Sequence, residues 1–437
     1  MAFSLHGVNV PHRKNTATIP AVRMPVPKTV SIPMVMHIGK PAKPVVKAGD
    51  HVDIGTLIAE QDGFISSPIY ASVSGTVTKI TDMLVSTGAF VPAVVIESDG
   101  ENTKADVTPP VINSKEDFIE AVKKSGLVGL GGAGFPTYVK FNTDKPIEHF
   151  IINGTECEPY ITSDTRTMID DADDIAEAIE IVDKYLNVGQ FIIGIEKNKK
   201  EAIEKMNAIA AKNSKVVVKV LPSRYPQGGE KLLIFNTTKK TVKAGKLPIE
   251  VGCIVCNCTT MAFITKYIKT GMPLVEKTIT VDGACVKDPK NVIVPIGTAL
   301  KDVFDFCGGF KEEPQKILYG GPMMGISVPN AEVPVLKQTN AILALNKKEV
   351  YAPKQTACIR CGTCLNTCPL GINPEAIARA YDLRDMTKLK KAGIEVCMEC
   401  GCCAYNCPAS RPLVQINKMA KIAYREYKLE QEKEANK

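Results

Sequence analysis

The cysteines of this 437-residue chain limit its folding more than any other feature. Cys358, Cys361, Cys364 and Cys368-Pro369 recur at a fixed offset of 39 residues as Cys397, Cys400, Cys403 and Cys407-Pro408. Each copy reads Cys-x2-Cys-x2-Cys-x3-Cys-Pro. Nine of the 15 cysteines lie in this span, and six are scattered over the residues before it. A disulfide framework belongs to short secreted chains with regularly placed bridges. The dense, odd-numbered set points instead to metal ligation in a reducing compartment. Zinc also uses Cys-x2-Cys pairs, but a zinc site closes with four ligands and needs neither a third Cys-x2 step nor a duplicated Cys-Pro.

The spacing is that of bacterial-type ferredoxin ligands for 4Fe–4S clusters. Three thiolates on a tight loop cap three irons of a cubane, and in two-cluster proteins the fourth iron takes the last cysteine of the other copy. Cluster one is therefore expected on Cys358, Cys361, Cys364 and Cys407, and cluster two on Cys397, Cys400, Cys403 and Cys368. Each proline stops the chain from continuing as helix after the ligand. Cys402 reads as a buried small residue. Between the copies, Pro374–Asp382 and Asp385–Ala392 have helical period, which predicts an α-helical two-cluster ferredoxin-type domain. Such clusters move single electrons, so electron pairs must be handled elsewhere in the chain or its complex.

Composition, with 45% hydrophobic and 23% charged residues, is that of ordinary globular protein. The +7 charge is spread along the chain without basic clusters interleaved with aromatics, which argues against nucleic-acid binding. No run of 18 apolar residues occurs, and residues 1–40 lack the apolar core of a targeting segment. The chain is expected not to cross a membrane by itself, while docking on a partner that does stays open.

Pattern changes divide the chain into residues 1–105, 106–272, 273–345, 346–415 and a charged helical tail, 416–437, whose last residues from Gln431 are expected to fray. In the first segment Val45-Val46, Val52–Ile54, Leu57–Ala59, Ser72–Val73 and Thr76–Ile80 read as strands. The second alternates helical stretches (Lys115–Lys124, Asp171–Tyr185) with apolar strands (Phe150–Ile152, Phe191–Ile195, Val216–Val220), the signature of an α/β layer. The third has strands Lys277–Val281 and Asn291–Pro295 around a helical Ala299–Cys307. Cys253, Cys256 and Cys258 include a lone Cys-x2-Cys, read as a buried thiol pair. His6, His12, His37, His51 and His149 are dispersed, with no ligand spacing.

A second signal is the run Gly126-Leu127-Val128-Gly129-Leu130-Gly131-Gly132-Ala133-Gly134-Phe135-Pro136-Thr137. Glycines let backbone approach a flat ring or phosphate closely. Alone, such a loop could be a turn without a ligand, but its company changes the reading. Lys140 follows it, Asn153-Gly154-Thr155-Glu156-Cys157-Glu158-Pro159 follows a strand, and Tyr225-Pro226-Gln227-Gly228-Gly229-Glu230 and Asn257-Cys258-Thr259-Thr260 come later.

Together these resemble the flavin- and NADH-binding subunit of respiratory complex I and its diaphorase relatives, with their GRGGAGFPTGxKW loop and E-G-E-P segment, over about Gly126–Thr260. Leu130 stands where that family has arginine, Tyr138 where it has the glycine after threonine, and Cys157 where it has the glycine between the acids. Those versions, with Gly320-Gly321-Pro322-Met323-Met324-Gly325, resemble the RnfC family across almost the whole chain, from Leu5-His6-Gly7 through both cysteine arrays. The resemblance implies a noncovalent FMN on Gly129, Gly131 and Gly132, its phosphate helped by Lys140. Asn153, Glu156, Tyr225, Gly228, Glu230 and Asn257 would line its ring and ribityl chain. Phe135 and Phe141 would stack on NAD, with Glu158 nearby.

Residues Val45–Ile80 resemble biotinyl/lipoyl-type barrel-sandwich half-motifs, but Gln61–Tyr70 has no lysine to carry a prosthetic group, so a structural fold is implied. Lys277–Phe310 resembles a soluble-ligand-binding β-grasp (SLBB-like) module and reads as a spacer. The expected architecture is thus multidomain α/β: a barrel-sandwich-like β domain, a Rossmann-like flavin domain, a β-grasp module and a helical ferredoxin-type domain.

The RnfC resemblance implies a peripheral subunit at the cytoplasmic face of the membrane. There it would meet the membrane subunits of an ion-translocating ferredoxin:NAD oxidoreductase and pass electrons between two 4Fe–4S clusters, FMN and NAD, with ferredoxin an indirect partner. Ion pumping would lie in the membrane partners. Three other readings stay open: a cobalamin reductase of propanediol-degrading compartments, a hydrogenase diaphorase, and an electron-relay adaptor without catalysis.

Overall fold

Four apolar strands between residues 149 and 257 form a parallel sheet in the order Val216–Leu221, Gln190–Glu196, His149–Gly154, Cys253–Asn257. They do so in a computed structural model that describes residues 7–85, 88–350 and 353–435. The sheet is covered on both faces, which is why its strands read as continuous apolar runs. Phe150, Ile152, Phe191 and Ile193 face the helices Lys115–Lys124, Ala172–Leu186, Lys200–Lys212 and Cys258–Thr270. Ile151, Ile192 and Val255 face the helix Glu230–Thr238. Strand order reverses between His149–Gly154 and Cys253–Asn257, and the crevice that open α/β sheets form at such a switch point is expected beyond the carboxyl ends of those two strands.

A capping box starts Lys115–Lys124: the Asp117 N–H donates to Ser114 Oγ at 3.1 Å while the Asp117 carboxylate accepts from the Ser114 N–H at 3.1 Å. An aromatic ladder ties this helix to the sheet, running Tyr185–Phe118–Phe141–Phe150–Phe191 with centroid spacings of 5.2, 5.8, 6.0 and 5.4 Å. Phe141 is fully buried within it.

The N-terminal segment forms two small antiparallel sheets. One contains Thr29–Pro33, Phe90–Ser98, Gly75–Leu84 and His51–Val52, the other Lys43–Pro44, Leu57–Glu60 and Ile69–Tyr70. Two expected strands shift. Pairing falls on Lys43–Pro44 rather than Val45-Val46, and on Ile69–Tyr70 rather than Ser72–Val73. Ser72–Ser74 bends, because the chain must turn into Gly75, whose φ of 149° and tight seat against the Glu97 carbonyl admit no side chain.

The third segment is a mixed six-stranded sheet, in the order Val22–Arg23, Lys290–Pro295, Glu276–Asp282, Ala341–Leu345, Lys316–Tyr319, Ile326–Val328, with the helix Leu300–Phe306 packed on it. The N-terminal Val22–Arg23 adds parallel to Lys290–Pro295, so the first segment crosses into the third.

The cysteine-rich segment is helical: Thr363–Thr367, Pro374–Asp382, Met386–Lys391, Cys402–Tyr405 and Leu413–Ala435. The last helix continues through the tail expected to fray from Gln431, up to Ala435. Asn373 and Asp385 cap their helices by accepting from the Ala376 N–H (3.1 Å) and the Lys388 N–H (2.9 Å). Among the described residues no helix is long and apolar enough to cross a membrane. Leu5 and His6 lie outside the described residues.

Candidate functional site

The glycine-rich run closes on itself at the mouth of the crevice. Val128 bridges Pro136, and the Gly129 N–H donates to the Phe135 carbonyl at 2.8 Å. Gly131, Gly132 and Ala133 are exposed at its tip. At Gly131 a Cβ would lie 2.5 Å from Asn257 Nδ2, so only glycine lets the loop approach the strand end.

Asn153 and Asn257 are register partners at the carboxyl ends of the neighbouring strands His149–Gly154 and Cys253–Asn257. Asn153 Nδ2 donates to the Gly228 carbonyl at 3.1 Å, and its Oδ1 accepts from the Thr155 N–H at 3.1 Å. Asn257 caps the helix Cys258–Thr270, accepting from the Thr259 N–H at 2.9 Å, and donates to Asp164 Oδ2 at 2.7 Å. Burial, then the nearby Glu156 charge, pushes Asp164 up to about 6. Lys140 Nζ donates to the Val255 carbonyl at 2.9 Å and pairs with Glu230 at 3.2 Å. The structure thus gathers Gly131, Asn153, Gly228, Lys140, Glu230 and Asn257 at the crevice. The N-termini of the helices Glu230–Thr238 and Cys258–Thr270 open there too, an arrangement suited to an anionic ligand.

Other expected site residues are engaged elsewhere. Glu156 is buried and accepts from the Asp164 N–H (2.7 Å) and Thr165 Oγ1 (2.6 Å), with Lys199 at 3.7 Å. Its carboxylate therefore anchors the start of Ser163–Asp170 instead of facing a flavin ring. Glu158 accepts from the Met323 and Met324 N–H groups at 3.0 and 2.8 Å, and burial pushes it up to about 7. It holds the Gly320–Gly325 loop, which it meets so closely that Gly321 has no room for a Cβ. Phe141 has no free ring face for a dinucleotide, because Phe118 and Phe150 flank it in the core. Phe135 stays half-buried beside the loop tip. Tyr225 is buried, and its hydroxyl donates to the Cys400 carbonyl at 2.7 Å. It joins the crevice to the second cysteine loop rather than lining the crevice.

Sequence reasoning missed several buried charges. Lys14 Nζ donates to the carbonyls of Glu156 (2.7 Å), Glu158 (2.8 Å) and Ile161 (2.5 Å), pinning the acidic loop from the chain's N-terminal arm. Burial, then Lys199, lowers Lys14 to about 8. Nothing local in the sequence marks Lys14, since its partners lie at least 142 residues away. Cys157, between the two acids, is pushed up to about 12 by burial and then the Glu196 charge, so it remains a neutral thiol.

The two cysteine arrays differ in exposure. Cys358 and Cys361 are exposed, and Cys364 and Cys407 pack in one cluster with Cys403, Ala378, Leu413 and Ile416. Cys368, Cys397, Cys400 and Cys403 are all buried and line one cavity with Pro369, Leu370 and Asn417. Cys407 thus packs with Cys364 of the first array as well as Cys403 of its own, and Cys368 shares the cavity of the second. The loops repeat in backbone too, with left-handed φ at Arg360 and Gly362 (54° and 74°) and again at Glu399 and Gly401 (58° and 80°). Among the described residues no three His, Cys, Asp or Glu side chains form a ready site for a metal ion. A cubane puts each thiolate on a different iron, so its ligands surround a hollow instead of converging on a point. The donor chemistry and the shared cavity of the second array fit that arrangement.

The second array abuts the crevice. Tyr225 bonds Cys400, a Cβ on Gly229 would strike the Met398 side chain, and Cys157 packs with Tyr225, Cys400 and Cys402. Cys402 is buried, as expected. Cys253 and Cys256 are buried but face opposite sides of their strand, so they are not a thiol pair.

This combination, a sheet end suited to an anionic ligand beside two thiol-rich loops, is the layout of an electron-transfer protein. Residues 122–266 match the Nuo51 FMN-binding domain family, 3–101 the RnfC barrel sandwich hybrid domain, 278–327 the SLBB domain and 352–408 the 4Fe–4S dicluster domain. A subunit of the proton-translocating ferredoxin:NAD(+) oxidoreductase complex of Clostridium ljungdahlii is 44% identical over 84% of this chain and 81% of its own. Its counterpart in the Na(+)-translocating complex of Acetobacterium woodii is 39% identical over 87% of each chain. The corresponding member of the ion-translocating oxidoreductase complex of Rhodobacter capsulatus is 38% identical over 96% of this chain and 83% of its own. Among solved structures, an air-oxidised NAD+-reducing [NiFe]-hydrogenase aligns with TM-score 0.51 and 16% identity, covering 74% of this chain and 64% of that one, a likeness of fold. The chain belongs to the RnfC family of ion-translocating oxidoreductase subunits. Its cofactors are FMN and 4Fe–4S clusters.

Proposed function

We propose that this chain is the peripheral subunit through which a membrane-bound, ion-translocating complex exchanges electrons between ferredoxin and NAD. The observation that carries the reading is the contact of the second cysteine loop with the crevice, through Tyr225 and Cys400. FMN, when bound, supplies conversion between a hydride and single electrons, which iron–sulfur clusters exchange one at a time. Gly129, Gly131 and Gly132 would cradle it, with Asn153, Gly228 and Asn257 at the strand ends. Lys140 would stand at its phosphate, with Glu230, which pairs with Lys140 at 3.2 Å, beside the ribityl chain. Phe135 is the aromatic side chain left to meet NAD, because Phe141 is core.

The thiols would ligate crosswise: Cys358, Cys361, Cys364 and Cys407 around one cluster, Cys397, Cys400, Cys403 and Cys368 around the other. Exposure of Cys358 and Cys361 favours the first as the end that faces partner subunits. We read the parallel sheet as Rossmann-like, the third segment as β-grasp, and the domain limits as 105, 272, 345 and 415. Membrane subunits and the cytoplasmic face of the membrane complete the proposal. Gentle detergent extraction of native membranes with this chain affinity-tagged tests it: membrane-spanning subunits should co-purify with the chain. Recovery of the chain free of any membrane-spanning partner would count against it.

A further inference from the structure

Two lysines of the third module reach into the glycine-rich loop of the second. Lys277 Nζ donates to the Leu130 carbonyl at 2.5 Å. Lys337 Nζ donates to the Gly126 carbonyl at 2.7 Å, and also to the Pro68 carbonyl at 2.6 Å and Ser67 Oγ at 3.1 Å in the N-terminal module. Both side chains are buried, Lys337 completely. We propose that Lys277 and Lys337 are positioning residues of the cofactor site, through which the third module holds the glycine-rich loop in the shape that receives FMN. This rests on reading that loop as the flavin cradle.

Packing alone does not account for these residues. An ammonium group is costly to bury, and an apolar side chain of similar length would fill the same space at lower cost. What the ammonium adds is several donors that can grip carbonyl oxygens. The grips fall at Gly126, where the loop leaves its preceding helix, and at Leu130, just before its exposed tip. A trans peptide points its C=O and N–H in opposite directions. Turning the Leu130 carbonyl inward onto Lys277 therefore turns the Gly131 N–H outward, the direction from which a backbone donor meets an anion or a ring edge. The Leu130 N–H is itself fixed, donating to Thr260 Oγ1 at 3.1 Å, so that residue is held at both of its polar groups. Gly126 has a φ of 70°, and a Cβ there would lie 3.0 Å from the Pro68 carbonyl and 3.2 Å from Lys337 Nζ, which closes the loop's base tightly around the amine. The third module thereby becomes part of the cofactor site, not the spacer that its sequence suggested.

The test uses the full-length chain purified anaerobically with its clusters, stripped of FMN and titrated with FMN by fluorescence quenching. Lys277→Met and Lys337→Met should each weaken FMN binding about tenfold or more, the scale of a lost hydrogen bond from a charged donor. Iron content and far-UV circular dichroism of the FMN-free chain should stay near wild type, so that a lost affinity reports on the loop and not on the fold. Lys277→Arg, which keeps a charged donor, should recover most of the affinity. A methionine variant that fails to fold is replaced by its leucine counterpart, which also lacks an N–H donor. Folded methionine or leucine variants that bind FMN as wild type does would overturn the clamp. Wild-type protein that binds no FMN would instead overturn the flavin reading beneath it.

Discussion

Lys337 has an amine wholly removed from water, in contact with carbonyl and hydroxyl oxygens from two other modules. Burial lowers it from the ordinary 10.5 to about 7. Between those values the unfolded chain holds the proton and the folded chain does not. The contribution of this group therefore makes stability rise with pH from about 7 to about 10.5, by at most about 1.4 kcal/mol per pH unit. Below about 7 both states are protonated and its slope vanishes. Denaturant melts across this range should show a shallower rise for Lys337→Met than for wild type, and parallel curves would contradict the assignment. Lys277 was legible in a way that Lys337 was not. It shares strand parity with Ile279 and Val281, both fully buried, so alternation alone puts it on the core face. Glu156 and Glu158 stand in the expected motif, but their carboxylates make contacts that the motif did not announce. Their partners, Lys199, the start of Ser163–Asp170 and the Met323–Met324 amides, leave no trace in the motif itself.

Elements with a local cause were legible with their ends. Lys115–Lys124 has its capping box, and Pro374–Asp382 has Asn373 before a proline at the first helical position. Ser163–Asp170 escaped notice because Ser163, Asp164, Thr165, Arg166 and Thr167 are all buried, which erases the apolar stripe that marks a helix. The two-residue strands of the N-terminal sheets are too short to carry a period. The crossed ligation proposed for the last cysteines makes a prediction at this scale. Cys407→Ala should behave as Cys361→Ala does, losing about four of about eight irons and one of two cluster signals in electron paramagnetic resonance. Cys368→Ala should pair with Cys400→Ala, abolishing the other signal. If Cys407→Ala matched Cys400→Ala instead, ligation within each copy would replace the crossed scheme.

Across the whole molecule, the first and third modules converge on the glycine-rich loop of the second while the fourth docks beside it. The N-terminal module bonds Gly126 through Ser67 and Gly134 through Ile38, the third supplies the two lysines, and the cysteine-rich segment reaches the crevice through Tyr225 and Met398. The sequence patterns divided these modules, but not the side of each that faces the loop, since that depends on contacts between residues far apart in the chain. Such an arrangement has a purpose only if nucleotide chemistry at the crevice communicates with the thiol-rich loops within this single chain. Anaerobic addition of NADH to the isolated full-length protein, followed by visible absorption, tests this most directly. About one FMN and about eight irons per chain are expected, with NADH bleaching both flavin and iron–sulfur absorbance. Iron without flavin, or bound flavin that NADH leaves unbleached, would contradict that communication.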